Sequence, residues 1–282
     1  MMRSMTQRRR WLFVITASCI LALAASCTDL TAVREWSKTS LEATQYNEIV
    51  TTYANTPERL KRYDSHGSYE NQIADRKNQA EALKKILSTV SDYMAALAAL
   101  SADGLVDYGQ DVDSLKTSIG KLDPKISQTE LGAVGTLAKD MLDAVAKEYQ
   151  AKQVAKIVEE ANGPLQLILR GELRKIVDQD FRRDLKSEKT WIDLFYNDLL
   201  REEGRPSKAA KEALKEWKEV RLEENAKRMA AVDAYVKVLD KVAEGHQKLY
   251  DNRNKLDDKT LIKNLCSLVV DLHKQITILA KS

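Results

Sequence analysis

From residue 28 onward the apolar positions recur every three or four residues, and no stretch alternates as a β-strand does. The first long run lies over 69–101, where Tyr69, Ile73, Ala80, Leu83, Leu87, Val90, Met94 and Leu97 share one seam. A second fills 124–161 through Ile126, Val134, Leu137, Met141, Val145, Tyr149 and Ile157. A third occupies 164–203 through Ile168, Leu173, Ile176, Phe181, Leu185, Ile192, Phe195 and Leu199, with a break expected near Ser187 because Thr190-x-x-Asp193 reads as a helix start. The fourth runs from Pro206 to about Lys255, and its seam of Val232, Tyr235, Leu239, Val242, His246, Leu249, Arg253 and Leu256 has coiled-coil spacing. Asp257 offers a cap for a last helix carrying Ile262, Leu265, Val269, Leu272, Ile276 and Leu279, and residues 28–55 read as one further helix.

The four prolines punctuate this pattern. Thr56-Pro57, Asp123-Pro124, Gly163-Pro164 and Arg205-Pro206 each predict a break followed by proline at the first helical position, where the missing N–H has no helical partner anyway. A 40-residue helix is about 60 Å long, and short connections make neighbours antiparallel. The expected fold is therefore all-α, an elongated antiparallel bundle of four to five long helices with coiled-coil-like seams. Residues 102–123 give the weakest signal, since Gly104, Gly109 and Gly120 dilute it.

Composition agrees with that class. Gly and Pro together number 14 of 282 residues, too few for a turn-rich β protein, and 44% hydrophobic with 31% charged residues describes a chain that builds a core. The formal charge of +3 is unevenly placed. Met1–Ser26 holds Arg3, Arg8, Arg9 and Arg10 and no acid, so beyond it 41 bases face 42 acids. A near-neutral body excludes a nucleic-acid partner, which would need a basic face.

That N-terminal stretch reads as an address. Arg8–Arg10 precede an apolar run of 15 residues, Trp11 to Ala25, which is the length of a signal-peptide core and short of the roughly 20 that a spanning helix needs. The run ends at Ala24-Ala25-Ser26, directly before Cys27. This resembles the precursor of a bacterial lipoprotein. The resemblance implies removal of residues 1–26 and a single domain over 27–282, tethered through a lipid thioether on Cys27. It covers about a tenth of the chain, and Ala24 stands where the usual lipobox has Leu. Ordinary cleavage at Ala24-x-Ser26 is the alternative. Thr28, in place of the Asp that signals inner-membrane retention in that family, implies an outer-membrane site facing the periplasm. Two or three acyl chains, each methylene contributing about 0.8 kcal/mol, anchor a protein without a spanning helix.

Candidate chemistry is sparse. His66, His246 and His273 lie outside metal-ligand spacing of one another and of any Cys, and His246 falls on a helix seam where a hydrogen-bonded core histidine is expected. Cys266, between Leu265 and Leu268, reads as a small buried hydrophobe. Asp107, Asp111 and Asp113 lack the glycine and terminal Glu of a calcium loop. No phosphate loop, nucleophile elbow or H-E-x-x-H is present, so no catalytic residue, cofactor or metal is expected.

Two features stand out. Arg170, Arg174, Lys175, Arg182, Arg183 and Lys186 are interleaved with Asp178, Asp180 and Asp184, as on a salt-bridged surface. Trp191, Phe195 and Tyr196 form the densest aromatic cluster, either plugging a bundle end or docking a partner. The function expected is that of a non-enzymatic envelope lipoprotein, a helical scaffold with a membrane contact through Cys27, a protein partner in the envelope, and self-association through helix seams as a further option. The alternative is a membrane-active helical protein of the pore-forming kind, although the longest apolar run of the body, Tyr93–Leu100, is eight residues.

Overall fold

The computed structural model describes residues 30–64, 67–102, 150–201 and 207–282. Cys27, His66, Asp107, Asp111, Asp113, Pro124, Pro206 and most of the helix expected over 124–161 lie outside them. Among the described residues every regular element is helical. Three short helices come first, α1 (Thr31–Thr44), α2 (Glu48–Ala54) and α3 (Thr56–Leu60). The long α4 (Glu70–Leu100) follows. Next, α5 (Gln150–Leu167) runs through π-helical turns at Ile168–Glu172 and Lys175–Phe181 into α6 (Arg182–Arg201). Finally α7 (Lys208–Asp251) and α8 (Lys259–Leu279) complete the bundle. The fold is an all-α bundle of long helices, as the periodicity requires.

The 44 residues of α7 form its spine, about 66 Å long at 1.5 Å per residue. The rod made by α5, its π turns and α6 lies against it in antiparallel register. Asn162 donates to Gln247, Gln166 to the carbonyl of Ala243, and Arg174 pairs with Asp240. Arg182 then pairs with Asp233, Glu188 with Arg228, and Asp193 with Lys218. As numbers rise along the rod, those of its partners on α7 fall. Of the interleaved charges of 170–186, Arg174, Arg182, Arg183, Asp178, Asp180 and Asp184 close on one another, on α7 and, through Arg76, on α4.

The core follows the predicted seams. Leu83, Leu87, Val90, Met94 and Leu97 of α4 meet Val232, Tyr235, Leu239, Val242 and Leu249 of α7 in one buried cluster, to which α8 adds Leu265, Val269 and Leu272. Trp36 of α1 is fully buried against Gly245 of α7. A Cβ at Gly245 would stand 2.2 Å from the indole Nε1, so glycine is what lets the ring lie on the α7 backbone.

Four sequence expectations are corrected. Gly163-Pro164 does not break the chain, and Pro164 sits inside α5. Gly163, having no Cβ, relieves part of the clash that a proline ring imposes on the residue before it. The break near Ser187 is absent as well, because α6 continues through it. The rod departs from α geometry instead at 168–181, where π turns absorb extra residues and keep Leu169, Leu173, Val177 and Phe181 buried. The segment 28–55 is interrupted at 45–47, dividing α1 from α2. The cap of the last helix is Asp258 and not Asp257, its carboxylate accepting from the backbone N–H groups of Thr260 and Leu261. Pro57 does sit in the first turn of α3 as expected.

Candidate functional site

Three polar or aromatic assemblies rise above the packed core. The deepest is centred on His246, which is fully buried on α7. Its Nε2 lies 2.5 Å from the Tyr93 hydroxyl and its Nδ1 3.0 Å from Asn162 Oδ1. Burial alone drives the imidazole pKa down to about 3 and pushes the Tyr93 hydroxyl up, so both groups are neutral. One arrangement of protons then satisfies every atom. Tyr93 donates to Nε2, Nδ1–H donates to Asn162, Asn162 donates to Gln247, and Gln247 donates to Asp251 at the surface. This chain pins α4, α5 and α7 in register, the role expected of a core histidine. A pKa this far below neutrality unsuits the ring for acid–base work near pH 7.

The second assembly locks α3 into the groove between α6 and α7. Glu188, 1% exposed, accepts from Arg59 at 2.8 Å and from Arg228 at 3.3 Å. Arg59 also donates to the carbonyl of Thr52 and to the hydroxyl of Thr56. Three ionised groups in a nearly dry groove are stable only together, since a buried charge left alone is costly.

The third lies further along the same hairpin. Tyr63 reaches from the turn after α3 onto Phe195 and Tyr196, with ring centroids 5.7 and 6.5 Å away, while Phe195 and Tyr196 meet edge to face at 5.3 Å. Tyr196 is buried, and Phe195 and Trp191 are half-buried. Of the predicted cluster, Phe195 and Tyr196 are brought together by Tyr63, a contact 132 residues away in sequence that periodicity does not reveal. Trp191 takes no part in these ring contacts.

Beyond this aromatic cap the hairpin becomes an arm. Before Asn225, α7 contains no buried residue. On it Trp217 is 58% exposed and Val220 43% exposed, the most exposed Trp and Val of the described chain. In the sequence Trp217 stands among Lys215, Glu216, Lys218 and Glu219, a string that looks like an ordinary solvated face. Its signal was present in the 3-4-3 spacing of Ala210, Ala213, Trp217 and Val220.

Elsewhere, a cavity of about 290 Å³ opens at the end of the bundle where α1 begins, lined by Leu30, Lys152, Ala155, Arg253 and Leu256. Cys266 is half-buried against the core. His273 lies half-buried on α8, away from His246. Among the described residues no three His, Cys, Asp or Glu side chains converge as a metal site, and no helix is long and apolar enough to cross a membrane. No family model, curated protein or solved structure matches this chain.

Proposed function

We propose that the protein is a non-enzymatic lipoprotein of the bacterial cell envelope, tethered through Cys27, that holds a helical arm out toward a protein partner. The observation that carries the reading is the course of α7. It begins as an arm free of buried residues and ends at Asp251, in the end of the bundle where Leu30, three residues after Cys27, opens the described fold. Trp217 thus lies 34 residues from Asp251, about 51 Å along the helix axis. Leu30 and Trp217 sit toward opposite ends of a stiff rod, the arrangement a spacer or scaffold needs.

The leader supports export, and Cys27, which follows it, supplies the anchor. The rigid core contributes reach rather than chemistry, since its buried histidine and its buried Arg-Glu-Arg group are consumed in holding helices together.

The test is acyl labelling of the full-length precursor in a bacterial host, beside a Cys27→Ala variant. The expected result is incorporation of labelled fatty acid and recovery in membranes for the parent, with both lost in the variant. A variant that still fractionates with membranes would contradict the tether. A labelled parent in which position 217 never crosslinks to another protein would contradict the scaffold role.

A further inference from the structure

The arm of α7 has three distinct faces, placed by the 100° advance of each residue around a helix. Lys218, Leu222 and Asn225 turn toward α6, where Lys218 reaches Asp193 and Asn197 and Asn225 donates to the carbonyl of Leu185. Ala210, Ala213, Trp217 and Val220 form a strip roughly 140° away from that face. Beside the strip runs a third face of four exposed acids, Glu212, Glu216, Glu219 and Glu223, at spacings of four, three and four. Glu212 pairs with Lys215 and Glu223 with Lys227, whereas Glu216 and Glu219 make no ion pair among the described residues. On its other edge the strip meets Arg221, which is occupied by Glu224.

A large indole left mostly in water on a stiff helix is useful at an interface, where Trp is enriched among the residues that dominate binding. The 3-4-3 spacing is that of a helix-packing seam, so the matching shape is another helix. The charge beside the seam selects its composition. Glu216 and Glu219, one turn apart and without an ion pair among the described residues, repel an acidic neighbour and attract a basic one.

We infer that this face docks a basic amphipathic helix of a partner protein, one with an apolar stripe bordered by Lys or Arg. The inference rests on the scaffold reading and gives its partner a chemistry. Apolar contact with Trp217 supplies the affinity, and the Glu212–Glu223 row sets the orientation and rejects acidic helices.

The experiment uses the full mature chain and two synthetic 18-residue helical peptides. Both carry leucines at three- and four-residue spacing, flanked by lysines in one and by glutamates in the other. Binding is read by anisotropy of the labelled peptide and by the blue shift of Trp emission. The lysine peptide is expected to bind about tenfold more tightly at low salt, with the preference shrinking as ionic strength rises. A Glu216→Lys/Glu219→Lys variant should reverse the preference, and Trp217→Ala should weaken both peptides about tenfold or more. All three side chains are exposed, so the variants should keep the parent's circular dichroism and melting temperature.

Equal binding of the two peptides, binding indifferent to Trp217→Ala, or no binding at all would overturn the inference. So would concentration-dependent dimerisation of the protein alone that shifts Trp217 emission, which would make a second copy the occupant. Acylation at Cys27 is scored separately. A tethered protein without the peptide preference refutes this inference alone, and a protein that shows the preference without a tether refutes only the anchoring.

Discussion

Replacing Gly245 by alanine sets two effects of known sign against each other. In an exposed helix interior the change is favourable by about 1 kcal/mol, because glycine loses more backbone freedom on folding. At this position the added Cβ would stand 2.2 Å from Trp36 Nε1, 2.4 Å from Cε2 and 2.6 Å from Cζ2. The atoms it meets belong to a rigid ring and not to the end of a flexible chain. Trp36 is 0% exposed, so the indole has no empty space to enter and either α1 or α7 must shift. Overpacking of this kind costs about 1–3 kcal/mol, and contacts this short belong at the upper end of that range or beyond it.

The expected net effect is a loss of about 2 kcal/mol, or roughly 4–8 °C in Tm for a domain of this size. Gly171→Ala is the control, since its Cβ would meet only Leu167 Cδ1 at an ordinary 3.8 Å. It should be neutral or stabilising by up to about 1 kcal/mol. Urea titrations and thermal scans of both variants measure the difference. A second background isolates the cause. Trp36 Nε1 has no hydrogen-bond partner, so Trp36→Phe removes ring volume and breaks no hydrogen bond. In that background Gly245→Ala should become neutral or favourable, a coupling of about 1–3 kcal/mol. A Gly245→Ala protein that melts higher than the parent in the Trp36 background would refute the packing argument.

Two further outcomes are expected. Glu188→Ala takes the carboxylate from Arg59 in the groove, while Arg228 keeps Glu224, and should destabilise by about 3 kcal/mol, whereas Glu188→Ala/Arg59→Met should recover part of that loss, both read from urea midpoints. His246 has a folded-state pKa of about 3 against an ordinary 6.5, so between these values the unfolded chain takes up a proton that the folded one refuses. Its contribution to stability is fully present above pH 6.5 and is lost as pH falls, with a slope of up to about 1.4 kcal/mol per unit. Relative to His246→Gln, the parent should therefore lose about 2 kcal/mol more between pH 6.5 and 5. Parallel pH profiles for the two proteins would count against a neutral buried imidazole.

Helices and core were legible in the sequence because one physical demand, burial of one face per 3.6 residues, writes itself locally. The seam from Val232 to Leu249 is the plainest case, and all of Val232, Tyr235, Leu239, Val242, His246 and Leu249 are buried. Pro164 misled because proline ordinarily interrupts a helix, whereas here it is carried inside α5, with Gly163 relieving part of the steric cost. The π turns at 168–181 have their mark in the unbroken four-residue spacing of Leu169, Leu173, Val177 and Phe181, longer than the α period, which is easily taken for an ordinary helical seam. The fit of Gly245 to Trp36 joins residues 209 apart in sequence, which no periodicity encodes. The candidate docking face was legible only in part. Phe195 and Tyr196 were visible as aromatics, but Tyr63, which covers them, was not. Trp217 was hidden by the charges around it, although exposure of that ring is what distinguishes the arm from the body.

The most direct test of the tethered scaffold places a photo-crosslinking amino acid at position 217 of the full-length precursor in intact bacterial envelopes. One discrete crosslinked adduct is expected, recovered in the membrane fraction together with acyl-labelled Cys27. Only uncrosslinked monomer, or protein recovered entirely in the soluble fraction, would contradict it.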